Sequence, residues 1–225
     1  MTQTFMPEHK AKLEKYLATH TLPSGLGSKK SACSIAAINL AMSGTFTDDI
    51  PDCMSVVLGR ATIRLQDAMP CEMRNSLRYK ALLPNMAGTG REHEQERLDI
   101  LLDWMWSVVL PQLQPIADKH GFGTKWKAMC KLKTASAAAH AARAAGADGA
   151  FASLAAADAA RAVSRAADAD GAYAAADAAR TAARAASRAA GAARVAAHAA
   201  GADFWETVDP IGVLERMTYL NVEEN

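Results

Sequence analysis

The chain has 225 residues, half of them hydrophobic and 22% charged, with Lys and Arg (25) balanced by Asp and Glu (24) to a net charge of +1. That length can bury a real core, and near-neutrality argues against a general nucleic-acid coat protein, which draws its affinity from excess cationic side chains. Four scattered cysteines (Cys33, Cys53, Cys71 and Cys130) form no Cys-x-x-Cys pair and read as reduced core residues, while a polar N-terminus and the lack of an apolar run approaching roughly 20 residues point to a cytoplasmic protein with no membrane span.

Pro7 to Thr19 reads as a peripheral helix, with Pro7 in its first turn and Leu13 and Leu17 on one face. Ser28 is placed to cap a helix over Lys29 to Ser43, with Gly44 just past its end. That run is apolar nearly all round, so it predicts a buried central helix in which Asn39 requires an internal hydrogen-bond partner. Asp48, Asp49 and Asp52 precede a helix to about Met69, whose core face is Met54, Val57, Leu58, Ala61 and Leu65. A shorter helix from Glu72 to Leu83 closes at Pro84, and a long one starts near Arg91 with Leu98, Leu101, Leu102, Met105 and Val109 inward.

On that long helix Glu92, Glu96, Asp99 and Asp103 form an acidic stripe that reads as a solvated face. His93-Glu-Gln-Glu-Arg97 is not His-Glu-x-x-His, because Arg97 occupies the place of the second histidine. Pro111, Pro115, Gly121 and Gly123 then interrupt the chain, which divides it into an N-terminal helical domain, residues 1–122, and an alanine-rich layer with C-terminal helices, residues 123–225, with one continuous domain as the alternative. Trp104, Trp106, Trp126 and Trp205 are the largest apolar groups and are expected to anchor the two parts together, with a ring-stacking ligand site as their alternative use.

More than half of the positions from Thr134 to Ala202 are alanine, the strongest helix former. Three helices are expected, over about 125–145, 150–168 and 172–200, separated at Gly146-Ala-Asp-Gly149 and Asp170-Gly171. The stretch is a degenerate duplication: Ala155 to Arg161 recurs as Ala174 to Arg180. Tyr173, Asp177, Arg180, Arg184, Arg188, Gly191, Arg194 and His198 advance by steps of about four and three and so form one narrow stripe. The other faces carry only methyl groups, which bury little area each at about 25 cal/mol per Å², so such helices gain stability by close approach on both flanks. The fold class is therefore all-α, with a helical bundle packed on a layer of closely packed alanine helices.

Two features bear on function. Gly25-Leu-Gly-Ser-Lys29-Lys30-Ser31 sets two lysines at the expected helix start, a place that favours an anion, although its spacing is not that of a phosphate-binding Walker loop. The alanine stretch carries seven arginines and no lysine, and arginine suits bidentate recognition of phosphate or carboxylate. Arg180, Arg184 and Arg188, with Lys29 and Lys30, are the candidate ligand-binding residues. Interleaved Asp158, Asp168 and Asp177 offer the competing explanation, helix-to-helix ion pairs. No residue carries a local catalytic signature, and no metal or cofactor is implied.

The block Gly27-Ser-Lys-Lys-Ser-Ala-Cys-Ser-Ile-Ala-Ala-Ile-Asn-Leu-Ala-Met-Ser-Gly44, with Thr47 to Met54 and Gln66 to Pro70, resembles uncharacterised proteins of phages and prophages that also end in alanine-rich helices. Runs such as Ala196-Ala-His-Ala-Ala-Gly201 are similar in composition to helical immunity proteins of bacterial toxin systems. The phage likeness implies interference with a host process, including antiviral defence, by binding. The expected partner is an anionic, nucleotide-type small molecule or a host protein, and a methyl-lined surface left open would call for a homo-oligomer. An enzyme acting on a nucleotide-like anion and a purely structural helical assembly protein are the alternatives.

Overall fold

The structure, a computed structural model, describes residues 4–146, 150–167, 171–197 and 201–220, with residues 194–197 and 201–203 described by backbone alone. The fold is all-α apart from one short hairpin. The elements run α1 (Pro7–Thr19), β1 (Gly27–Ser28), β2 (Ser31–Ala32), α2 (Ser34–Ser43), α3 (Val56–Ala68), α4 (Cys71–Arg74), α5 (Leu77–Met86) and α6 (Glu94–Trp104). A π-helical turn (Met105–Val109) and a 3-10 turn (Leu110–Leu113) carry α6 into α7 (Gln114–Lys119). Then follow α8 (Gly123–Leu132), α9 (Ala135–Ala145), α10 (Ala150–Ala167), α11 (Ala172–Ala197), α12 (Gly201–Val208) and α13 (Pro210–Thr218).

Three boundaries differ from the sequence reading. Ser28 does not cap a helix: Gly27 and Ser28 pair antiparallel with Ala32 and Ser31, and α2 starts at Ser34 behind Cys33, whose Sγ accepts from the Ala36 N–H. The stretch expected as one helix from 72 to 83 is two, because Ser76 leaves the helix and caps α5, and α5 runs past Pro84 to Met86. The stretch 125–145 is also two helices, since Lys133 takes a left-handed conformation (φ 52°) and the Thr134 side chain accepts from the Ala137 N–H to start α9. The turns expected at Ala147 to Gly149 and at Asp170, and His198 of the stripe, lie outside the described residues.

The layer expected from the alanines is present. α11 packs on α10 along one flank and on α3, α6 and the π turn along the other, and α10 in turn packs on α9. Ala178, Ala179, Ala182, Ala183, Ala185, Ala186 and Ala189 are all fully buried, so α11 is enclosed over most of its length, as close backbone approach requires. Buried side chains from Leu13 to Met217 join one core cluster that spans residues 1–122 and 123–225 alike. The four tryptophans are buried within it: Trp104 Nε1 donates to the Val208 carbonyl (2.6 Å) and Trp126 Nε1 to the Leu110 carbonyl (2.9 Å). None of them presents a ring to a ligand.

Two buried charged groups hold the helices on which α11 rests. Glu94 accepts from Ser55 Oγ (2.7 Å) and from the Val56 and Val57 N–H groups (2.7 and 3.0 Å), supplying acceptors for the open first turn of α3. Arg97 donates to the carbonyls of Met217 (2.9 Å), Thr89 (3.3 Å) and Glu92, tying α6 to the end of α13. Asn39 finds the partners it requires in the Thr47 and Asp49 carbonyls (2.9 and 2.8 Å). The acidic stripe of α6 faces outward, and among the described residues no group of His, Cys, Asp and Glu is placed to hold a metal. No helix among them is long and apolar enough to cross a membrane.

Two stability predictions follow from this packing. Ala182→Leu and Ala189→Leu each insert a larger side chain where the alanine is fully buried. Each should lower stability by about 1–3 kcal/mol, read as a fall in melting temperature. Glu94→Gln turns one acceptor oxygen into a donor facing the donors of α3, and chemical denaturation should show a loss of about 1–3 kcal/mol.

Candidate anion-binding seam

α10 and α11 share a local pattern that explains how they meet. Asp158-Ala-Ala-Arg161 is followed four residues on by Arg165, and Asp177-Ala-Ala-Arg180 four residues on by Arg184. In each helix the aspartate pairs with the arginine one turn later. Arg161 Nη2 lies 2.5 Å from Asp158 Oδ1, and Arg180 Nη2 lies 2.6 Å from Asp177 Oδ1. Both arginines also direct Nε to that same oxygen, at 3.2 and 3.1 Å.

The second carboxylate oxygens reach across the seam. Arg165 Nη1 of α10 lies 2.9 Å from Asp177 Oδ2 of α11, and Arg188 Nη1 of α11 lies 2.5 Å from Asp158 Oδ2 of α10. Arg165 also donates to Thr181 Oγ1 (2.6 Å), and Arg188 to the Leu154 carbonyl (3.3 Å). The Arg188 contact with Asp158 is an ion contact without aligned hydrogen-bond geometry. The two helices therefore exchange arginines, but not symmetrically: the repeat equivalent of Arg165 is Arg184, while the residue that reaches Asp158 is Arg188, one turn further on.

Burial makes one of these pairs much more demanding. Asp158 is fully buried, whereas the side chain of Asp177 is 38% exposed. An ionised carboxylate enclosed by methyl groups is tolerated only with matched positive charge, which Arg161 and Arg188 supply.

The register locates the remaining arginine. Phe151 of α10 packs against Gly191 of α11, where a Cβ would meet the ring at 3.2 Å. Ten residues onward along α10 correspond to ten backward along α11 in this antiparallel pair, so Arg161 is level with the interval between Arg180 and Arg184. Arg161, Arg180 and Arg184 thus stand at about the same level of the seam, between the levels of the two aspartates. Arg184 is half-buried and makes no hydrogen bond or ion pair among the described residues. Among the described residues, which do not include Asp168, five arginines meet two aspartates here, and the paired ones keep N–H groups uncommitted: Nη1 on Arg161 and Arg180, Nε and Nη2 on Arg165 and Arg188. The carboxylates hold these guanidinium groups in place, and the arginine side chains remain 27–49% exposed.

Of the residues expected from sequence, Arg180, Arg184 and Arg188 do share this seam. Lys29 and Lys30 do not; they form the exposed tip of the β1–β2 hairpin, beside α1, where Tyr16 Oη donates to the Lys29 carbonyl (3.3 Å). Because α2 starts at Ser34, these lysines lie on a hairpin turn and carry no helix N-terminus with them. The side chain of Arg194 lies outside the described residues. Arg161 and Arg165 belong to the seam and were not among the expected site residues; the repeated Asp-Ala-Ala-Arg pattern was the signal that could have found them.

Three of the four thiols are held in the protonated form by burial. Burial pushes Cys33 and Cys53 up and Cys130 up to about 11, so these stay protonated at neutral pH, and all four cysteines are free. Cys71 is exposed rather than in the core. An open cleft of about 440 Å³ lies between α6 and α13, but the glutamate on its wall, Glu215, is held by Arg78 (2.5 Å). Comparison with family models, curated proteins and solved structures finds no match.

The seam separates two arginines that look alike in sequence. Arg188→Gln removes one of two counter-charges from a buried carboxylate and should cost about 1–3 kcal/mol. Arg184→Gln breaks no contact among the described residues and should change stability by less than about 0.5 kcal/mol. Parallel thermal melts of the two variants check this.

Proposed function

We propose that the protein is a non-enzymatic binding protein of the phage type, which interferes with a host process by sequestering an anionic, nucleotide-like ligand on the arginine seam. The observation that carries this reading is Arg184: a half-buried arginine without a partner among the described residues, set among partly exposed arginines that keep N–H groups uncommitted by their aspartates. The seam holds an excess of positive charge among the described residues. Sequestration is favoured over catalysis because no thiol or histidine takes part in the contacts of the seam among the described residues. The same surface would suit an acidic patch on a host protein, and assembly as a homo-oligomer belongs to this proposal.

A second reading has its own support. Asp158 and Asp177 engage four of the five arginines, so the seam also works as a scaffold joining α10 to α11. The two readings part at Arg184. Protein purified at low salt, denatured and analysed by mass spectrometry should release an unaltered phosphate-bearing small molecule, and Arg184→Gln should lose it at unchanged melting temperature. Retention should weaken as salt rises, as for any charge-assisted surface contact. A converted product would favour the enzyme; full retention by Arg184→Gln would return the seam to scaffold alone.

A further inference from the structure

On the arginine face of α11 stands one aromatic residue that packing does not explain. Tyr173 is 76% exposed and makes no hydrogen bond, ion pair or ring contact among the described residues. Seven residues separate it from Arg180, two helical turns on the same face. Its position differs from that of Phe151 at the opposite end of the seam, whose ring is already used against the backbone of Gly191. It differs too from the four tryptophans, all buried.

Resting on the seam reading above, we infer that Tyr173 is the platform on which the ring of a bound nucleotide stacks while its phosphates lie on Arg165, Arg180 and Arg184. The spacing fits: two turns span about 10 Å along the axis, comparable with the reach of a nucleoside diphosphate from base to phosphate. The chemistry fits as well, because an exposed ring offers a π-face to any base and gives affinity without demanding one sequence or one base edge. Phosphate capture alone would need only the guanidinium groups. The ring narrows the ligand class from anions in general to anions that carry an aromatic base.

The test compares two probes of similar charge, ADP and inorganic pyrophosphate, by isothermal titration calorimetry at low, fixed ionic strength. The full chain should bind ADP about tenfold more tightly than pyrophosphate, the size of one stacking contact. Tyr173→Ala should lower ADP affinity to the pyrophosphate level and leave pyrophosphate binding unchanged, whereas Tyr173→Phe should keep the preference. Arg184→Gln should weaken both probes. Equal binding of the two probes by the wild-type chain, or an ADP preference that survives Tyr173→Ala, would overturn the stacking role while the anion seam stands. If neither probe binds the wild-type chain, the seam reading and the stacking role fall together.

Discussion

The buried carboxylate of Asp158 is the constraint around which the alanine layer is arranged. Alanine lets α10 and α11 approach closely, and close approach removes water from whatever else lies between them. A fully buried aspartate is tolerable there only because Arg161 comes from its own helix and Arg188 from the next. The pairing fixes the register of two helices whose methyl faces would otherwise slide past one another at little cost, since identical small side chains give no unique fit. Phe151 against Gly191 reinforces that register at one end, and Arg165 with Asp177 and Thr181 at the other.

The layer in turn depends on a floor. α3 and α6 meet α11 along its inner flank; Glu94 ties α6 to the start of α3, and Arg97 ties α6 to the end of α13. These two charged residues stand one turn apart on one helix and reach different elements, so groups that look like surface residues in the sequence serve as internal fasteners. The Arg78 guanidinium, bound by both Asp209 and Glu215, repeats this on the outside, joining α5 to α13.

Much of this was legible in the sequence where a single physical effect dominated. The alanine content and the three-and-four spacing gave α10, α11 and the arginine face of α11, and the apolar run before Gly44 gave the buried α2 with Asn39 needing a partner. What was not legible depended on contacts between distant segments. Glu94 sits in a run of charged residues and gives no sign of burial; only the arrival of the α3 N-terminus makes its carboxylate internal. Lys29 and Lys30 failed for a local reason: Gly27 has φ 78° and sits directly against the Ser31 carbonyl, a close approach that closes a hairpin and delays the helix. Arg161 and Arg165 were overlooked because the stripe was traced on one helix, whereas a seam has two lips.

The slipped exchange between the repeats has a consequence for how such a protein changes over time. Had Arg184 paired with Asp158 as Arg165 pairs with Asp177, every arginine of the duplicated pattern would have been tied to folding. The slip of one turn hands that duty to Arg188 and leaves one position of an ordered, charged surface outside the folding contract among the described residues. Residue 184 can therefore vary in size and charge while the helices around it keep their register, so the charge of the surface is free to drift without the scaffold drifting with it.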